Sequence, residues 1–136
     1  VVAAAGVATL KLVRETDAPA RARSLAARLI AGLNAAFSDN GVRGFAYGRT
    51  SIVKTCPGEA PAMVCGDFSS AAKDGAQLRA GWGQVGPYLR KAMLLEGVDS
   101  MRAGGFVSTA HTEADIATTC DAFGRALVRL REEDRI

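Results

Sequence analysis

At 136 residues the chain has room for one domain with a substantial hydrophobic core, but not for two. With 49% apolar and 23% charged residues it has the composition of a globular domain, rich in alanine and hence in helix. A net charge of +3, arginines dispersed among acids and only 6% aromatics exclude the basic, ring-lined face of a nucleic-acid binder, and no apolar run is long enough to cross a bilayer. Neither nucleic acid nor a membrane is therefore expected as a partner. Three cysteines, an odd number, do not make a disulfide framework, and the natural setting is a reducing cytoplasm.

The opening "VVAAAGVATLKLVRE" spaces Val2, Gly6, Leu10 and Val13 as a helical stripe. It has no basic leader, no N-cap residue and no initiating methionine, so it reads as a helix entered halfway and the chain as a piece of something longer. After "TDAPA", Asp17 is a candidate N-cap with Pro19 in the first turn. The following helix lines up Ala22, Leu25, Ala26, Leu29, Leu33, Ala36 and Phe37, and Gly41 suits its left-handed end. "VRGFAYGRTSIVKTC" then alternates and turns β-branched, which predicts two short strands. From Pro57 to Pro87 prolines, glycines and small polar residues predict loops with at most one short element. "YLRKAMLLEG" predicts a helix with Leu89, Ala92 and Met93 inward and Leu95 as a further inward candidate, and "GFVSTA" a short strand. The last helix is the clearest: Ile116, Cys120, Phe123, Leu127 and Leu130 form one buried stripe opposite Asp121, Arg125 and Arg129. The sum is an α+β domain, a small few-stranded, mainly antiparallel sheet covered by helices.

Candidate chemistry is sparse. "GWGQVG", residues 81–86, matches the G-x-G-x-x-G spacing of dinucleotide-binding loops, but that loop must follow a buried strand, and "AKDGAQLRA" is not one. A glycine-rich loop before a helix is the better reading, and nucleotide binding is not expected. Cys56, Cys65 and His111 lack the short paired spacings of a structural zinc site, and Cys120 falls on an apolar stripe, so no metal site is expected. The single histidine, His111, stands just before Thr112-x-x-Asp115, the form of a helix-start capping box. It reads as an organiser of a strand-to-helix corner, not as a catalytic base.

Three stretches carry a resemblance: "AAAGVATLKLV", "RARSLAARLIAGLNAAF" and "MLLEGVDSMRAGGFVSTAHTEADIATTCDAFGRAL". In that order they resemble the C-terminal segment of class III, pyridoxal-phosphate-dependent aminotransferases, in the branch close to glutamate-1-semialdehyde aminomutase. The resemblance implies that residues 1–16 are a helix linking to a missing large domain and that 17–136 are the small C-terminal domain of a fold-type I enzyme. It implies pyridoxal 5'-phosphate as cofactor of the intact enzyme, a homodimer, and small-molecule amino donors and acceptors. The family's lysine motif and phosphate loops lie upstream, and Lys11, Lys54, Lys73 and Lys91 match none of them. No catalytic or cofactor-binding residue is therefore expected in this segment, and the segment alone is expected to be inactive. The stretch before "GFVS" approaches substrate in the family, which makes Arg102 and Ala103 the candidate substrate-binding residues. Arg102 could clasp a carboxylate bidentately, or equally serve a surface or interdomain salt bridge. The aminomutases carry a glutamate where this chain has Ala103, a departure that favours a transaminase over an aminomutase. The alternative from another class is a stand-alone α+β interaction module. A severed domain should leave apolar surface on its first helix, at Val2, Leu10 and Val13, where a stand-alone module should be polar.

Overall fold

The computed structural model describes residues 2–57, 75–101 and 103–136, and for 75–84 only the backbone. Helix α1 (Val2–Glu15) draws its helix propensity from four alanines, Leu10 and Leu12 against Gly6 and three valines, and none of its residues is buried. Helix α2 (Ala18–Asp39) begins at Asp17, whose side chain makes no capping bond, with a proline in its first turn. Its 3.6-residue periodicity buries Leu25, Ala26, Leu29, Leu33 and Phe37 on one face. The chain leaves α2 through Gly41 at φ 61°, a left-handed turn that glycine makes without strain.

Strands β1 (Gly44–Arg49) and β2 (Ile52–Pro57) form an antiparallel hairpin with Phe45 opposite Cys56 and Tyr47 opposite Lys54. Only Thr50 and Ser51 connect them, and Thr50 takes φ 58°, as so tight a connection demands. Strand β3 (Gly104–Phe106) pairs antiparallel with β2, giving the order β1-β2-β3. The outer edge of β1 is closed by a side chain from α2: the Asn34 amide donates to the Ala46 carbonyl and its oxygen accepts the Ala46 N–H, each at 2.9 Å. Occupying both groups blunts the edge as a template for another strand.

Alternation along the strands separates two faces. Ala46 and Val53 point into the main core, where they meet α2, helix α3 (Gly75–Leu95) and helix α4 (Glu113–Glu132). Leu89, Ala92 and Met93 enter from α3; Ile116, Phe123, Leu127 and Leu130 enter from α4. Phe37 and Phe123 meet edge to face, with centroids 5.1 Å apart. On the other face Phe45, Tyr47 and Cys56 form a second buried cluster. There loss of hydration, with the nearby Cys56 thiol second, pushes the Tyr47 phenol up to about 12.

Ion pairs tie the helices at their rims. Glu96, just beyond α3, meets Arg125 at 2.6 Å and Arg129 at 3.1 Å, while Arg28 meets Glu113 at 2.7 Å. Arg131 donates to the Asn40 carbonyl at the end of α2.

The α+β architecture and the helix-covered antiparallel sheet agree with the sequence reading. Three expectations need correction. Leu95, a candidate for the inward face, ends α3 at 70% exposure. Residues 75–87, expected as loop, are the first half of α3, and Pro87 lies inside that helix. Proline is tolerated there because the missing N–H removes one bond from a helix already committed to the core through Leu89, Ala92 and Met93. The third strand, expected over 105–110, spans only 104–106, because Ser108 to His111 fold back into a local turn. The loops expected between Pro57 and residue 74 lie outside the described residues.

Candidate functional site

The stretch expected to approach substrate is a turn laid on strand β2. The Met101 N–H donates to the Gly104 carbonyl at 2.8 Å, closing the turn. The Ala103 carbonyl accepts two bonds from one residue, the Thr55 N–H at 2.7 Å and the Thr55 hydroxyl at 3.1 Å. Gly104 passes so near β2 that a Cβ there would run into the Val53 carbonyl oxygen. Only glycine lets the backbone approach this closely.

Of the two candidate substrate-binding residues, Ala103 is buried, with its methyl group in the main core. Arg102 lies outside the described residues. Sequence reasoning missed Thr55, the one buried polar residue among those described, at 3% exposure. Its signal was present but faint, a hydroxyl at a core-facing position two residues from Val53.

Beside the turn opens a cleft of about 300 Å³ between the sheet and the helices. Leu29 and Leu33 of α2, Leu89 and Met93 of α3, and Ile116 and Phe123 of α4 supply its apolar walls. Thr55, Asp99, Ser100, His111 and Thr119 add polar groups, and Ala103 sits on its wall. Asp99 is paired bidentately with Arg90, at 2.9 and 3.1 Å, and the guanidinium holds its carboxyl below the ordinary value.

His111 stands at the strand-to-helix corner, as read from the sequence. Its Nδ1 accepts the Ser108 N–H at 3.0 Å. Thr112 and Asp115 make the full capping box. The Asp115 N–H donates to the Thr112 hydroxyl at 3.2 Å, and the Asp115 carboxylate accepts the Thr112 N–H at 2.7 Å. The Thr112 N–H, then its hydroxyl, hold the Asp115 carboxyl below its usual range. With Nδ1 engaged by a backbone donor, the imidazole helps to fix the corner.

The remaining candidates are dispersed. Cys56 is buried in the sheet's second face and Cys120 is half-buried on α4, where burial and then Asp121 push its thiol up. Cys65 lies outside the described residues, among which no cluster of metal ligands occurs. "GWGQVG" is helical backbone within α3, neither the phosphate loop considered nor the glycine-rich loop preferred to it. Lys11 and Lys91 are exposed, Lys54 is half-buried on β2, and Lys73 lies outside the described residues. A pyridoxal phosphate group needs a lysine amine for its aldehyde and donors or cations for its phosphate. Among the described residues the cleft offers no lysine, and its one carboxylate, Asp99, would repel a phosphate. These residues do not fit the cofactor, and the cleft's own chemistry is confined to shape, apolar contact and a few neutral hydrogen-bonding groups.

No protein-family model and no curated protein matches the chain. Solved structures do. The FumI protein of Sphingopyxis sp. MTA144, in its PLP internal aldimine form, matches with a TM-score of 0.72 and 24% identity over 96% of this chain and 27% of its own. An omega-transaminase from Sphaerobacter thermophilus matches with a TM-score of 0.62 and 20% identity, over 82% of this chain and 24% of its own. The chain thus spans about a quarter of the length of each of these structures. What it shares with that quarter is the fold, four helices and a three-stranded antiparallel sheet among the described residues.

Proposed function

We propose that residues 17–136 are the small C-terminal domain of a class III pyridoxal-phosphate-dependent aminotransferase and that residues 1–16 link it to a large, cofactor-binding domain. The observation that carries this reading is the fold likeness to a PLP-form structure, which extends over 96% of this chain but only 27% of the other. The surface of α1 supports it: Val2 is 87% exposed, Leu10 70% and Val13 51%, the apolar surface expected of a domain apart from its neighbour. A stand-alone module is expected instead to cover that face with polar residues.

In this reading the intact enzyme exchanges an amino group between an amino acid or amine and a keto acid. The cofactor supplies the amino-carrying aldehyde and is held by the large domain. This domain shapes and closes the substrate pocket, with Arg102 available to a substrate carboxylate and Ala103 forming its wall. Alanine in place of the aminomutases' glutamate favours a transaminase over glutamate-1-semialdehyde aminomutase. A homodimer completes the expected assembly.

The test is to express the reading frame that contains Val1–Ile136 and assay amino transfer with pyridoxal phosphate added. Donor-dependent consumption of a keto acid, weakened in Michaelis constant by Arg102→Ala, is the expected result. A frame that encodes nothing beyond this domain, or a product without amino transfer, overturns the reading in favour of the interaction module.

A further inference from the structure

We infer that Thr55 is a positioning residue for the Met101–Gly104 turn, fixing Ala103 where substrate is proposed to lie; its functional half rests on the reading above.

The argument begins with a residue type that burial disfavours. Position 55 shares the core-facing side of β2 with Val53 and is 3% exposed. Valine has nearly the shape of threonine and would fill that space without burying a hydroxyl. A buried hydroxyl is unfavourable unless it finds a partner. Here the partner is the Ala103 carbonyl, 48 residues away along the chain.

That carbonyl does not need the hydroxyl to be satisfied. The Thr55 N–H already reaches it at 2.7 Å, extending the β2–β3 ladder one step beyond Lys54 and Gly104. The hydroxyl is a second donor on the same oxygen, so what it adds is direction: the peptide plane of Ala103 is held from two sides. Together with the Met101 to Gly104 bond, it pins the turn at its middle and its neck.

The turn is also anchored by the Ala103 methyl in the core, but its neck has little packing of its own. Strand β3 is three residues long, two of them glycines that carry no side chain to pack. Gly104 admits no Cβ against the Val53 carbonyl, so the turn must lie flush on β2 and take its lateral support from there. The Lys54 stem lies against Gly104, and the Thr55 hydroxyl adds a directed bond to the Ala103 carbonyl. Without the hydroxyl the ladder and the core both remain, but the turn loses the restraint that sets the angle of Ala103 at the cleft wall.

The experiment compares Thr55→Val, Thr55→Ser and Arg102→Ala in the polypeptide encoded by the reading frame that holds this chain. Hydrogen exchange is followed on a peptide covering 98–106, with a peptide from α4 as internal reference, and kcat and KM are measured for amino donor and keto acid. In Thr55→Val, exchange of the turn peptide is expected to rise about fivefold, the effect of one net hydrogen bond, with α4 unchanged. KM is expected to rise severalfold with kcat nearly constant, and Thr55→Ser to restore both. Unchanged exchange in the turn, or an equal rise in α4, overturns the clamp. A KM raised by Arg102→Ala but not by Thr55→Val overturns the positioning role. A KM moved by neither variant overturns the substrate-loop reading, while the exchange data still decide the clamp.

Discussion

Helices α1 and α4 carry similar patterns of apolar residues and end in opposite surroundings. In α4 the stripe of Ile116, Phe123, Leu127 and Leu130 is buried to 7% exposure or less, and polar residues cover the rest. In α1 the stripe of Val2, Leu10 and Val13 is at least half exposed, and Val7 and Leu12 are exposed beside it. Periodicity reports that a helix has a face to bury; it does not report what buries it. For α4 the partner is in the chain. For α1 the described residues offer none.

Substitutions can break that contrast. Leu127→Ala leaves a cavity where three elements meet and should cost about 3 kcal/mol in urea unfolding of the chain. Leu10→Ala should change stability by no more than about 0.5 kcal/mol. Comparable losses from both would mean that α1 is packed against a partner in solution. A second pair sharpens the contrast at the turn. Gly104→Ala drives a Cβ into the Val53 carbonyl and should cost roughly 1–3 kcal/mol, whereas Gly105→Ala meets no atom and should be far milder in the same assay.

The helix starts give a smaller effect of the same form. Thr112→Ala removes a complete capping box from α4 and should cost about 1 kcal/mol, while Asp17→Ala at α2 loses no side-chain bond and should be close to neutral. The cap also sets a pH dependence. The Thr112 donors hold the Asp115 carboxyl below its ordinary 3.8, so the unfolded chain binds the proton more readily. Its contribution is complete above that value and is lost as pH falls through the lower folded value. Thermal midpoints followed between about pH 2 and 5 should therefore fall more steeply in the native chain than in Asp115→Asn. Smaller than the loss of the cap should be Glu96→Gln, whose arginine partners are exposed and partly screened by salt; its shift in midpoint should shrink at high ionic strength.

How much of this was legible depended on whether the deciding contacts were local. The stripes of α2 and α4, the capping box and the alternating hairpin are set by residues within one or two turns of each other, and they were readable. The first half of α3 was not. Gly81, Gly83 and Gly86 each weaken a helix by about 1 kcal/mol relative to alanine, and Pro87 removes a bond, so local propensity argues for a loop. Core contacts of Val85 before the proline and of Leu89, Ala92 and Met93 after it favour one continuous helix, and these depend on α4 and the sheet. Of the candidate site, Ala103 was identified through a resemblance between sequences. Its bond to Thr55 joins residues whose proximity exists only once β3 has found β2, and no pattern along the chain announces it.

The isolation of α1 has a kinetic consequence. A helix of fourteen residues with no buried side chain has only its own hydrogen bonds and propensity to sustain it, and at that length these are marginal in water. Its amides should exchange by fraying, without waiting for the domain to unfold, and trypsin should reach Lys11 and Arg14 long before it reaches the arginines of α4. Protection of those two bonds is then a direct reporter of occupancy: whatever docks on α1 will be seen first as a cleavage that slows.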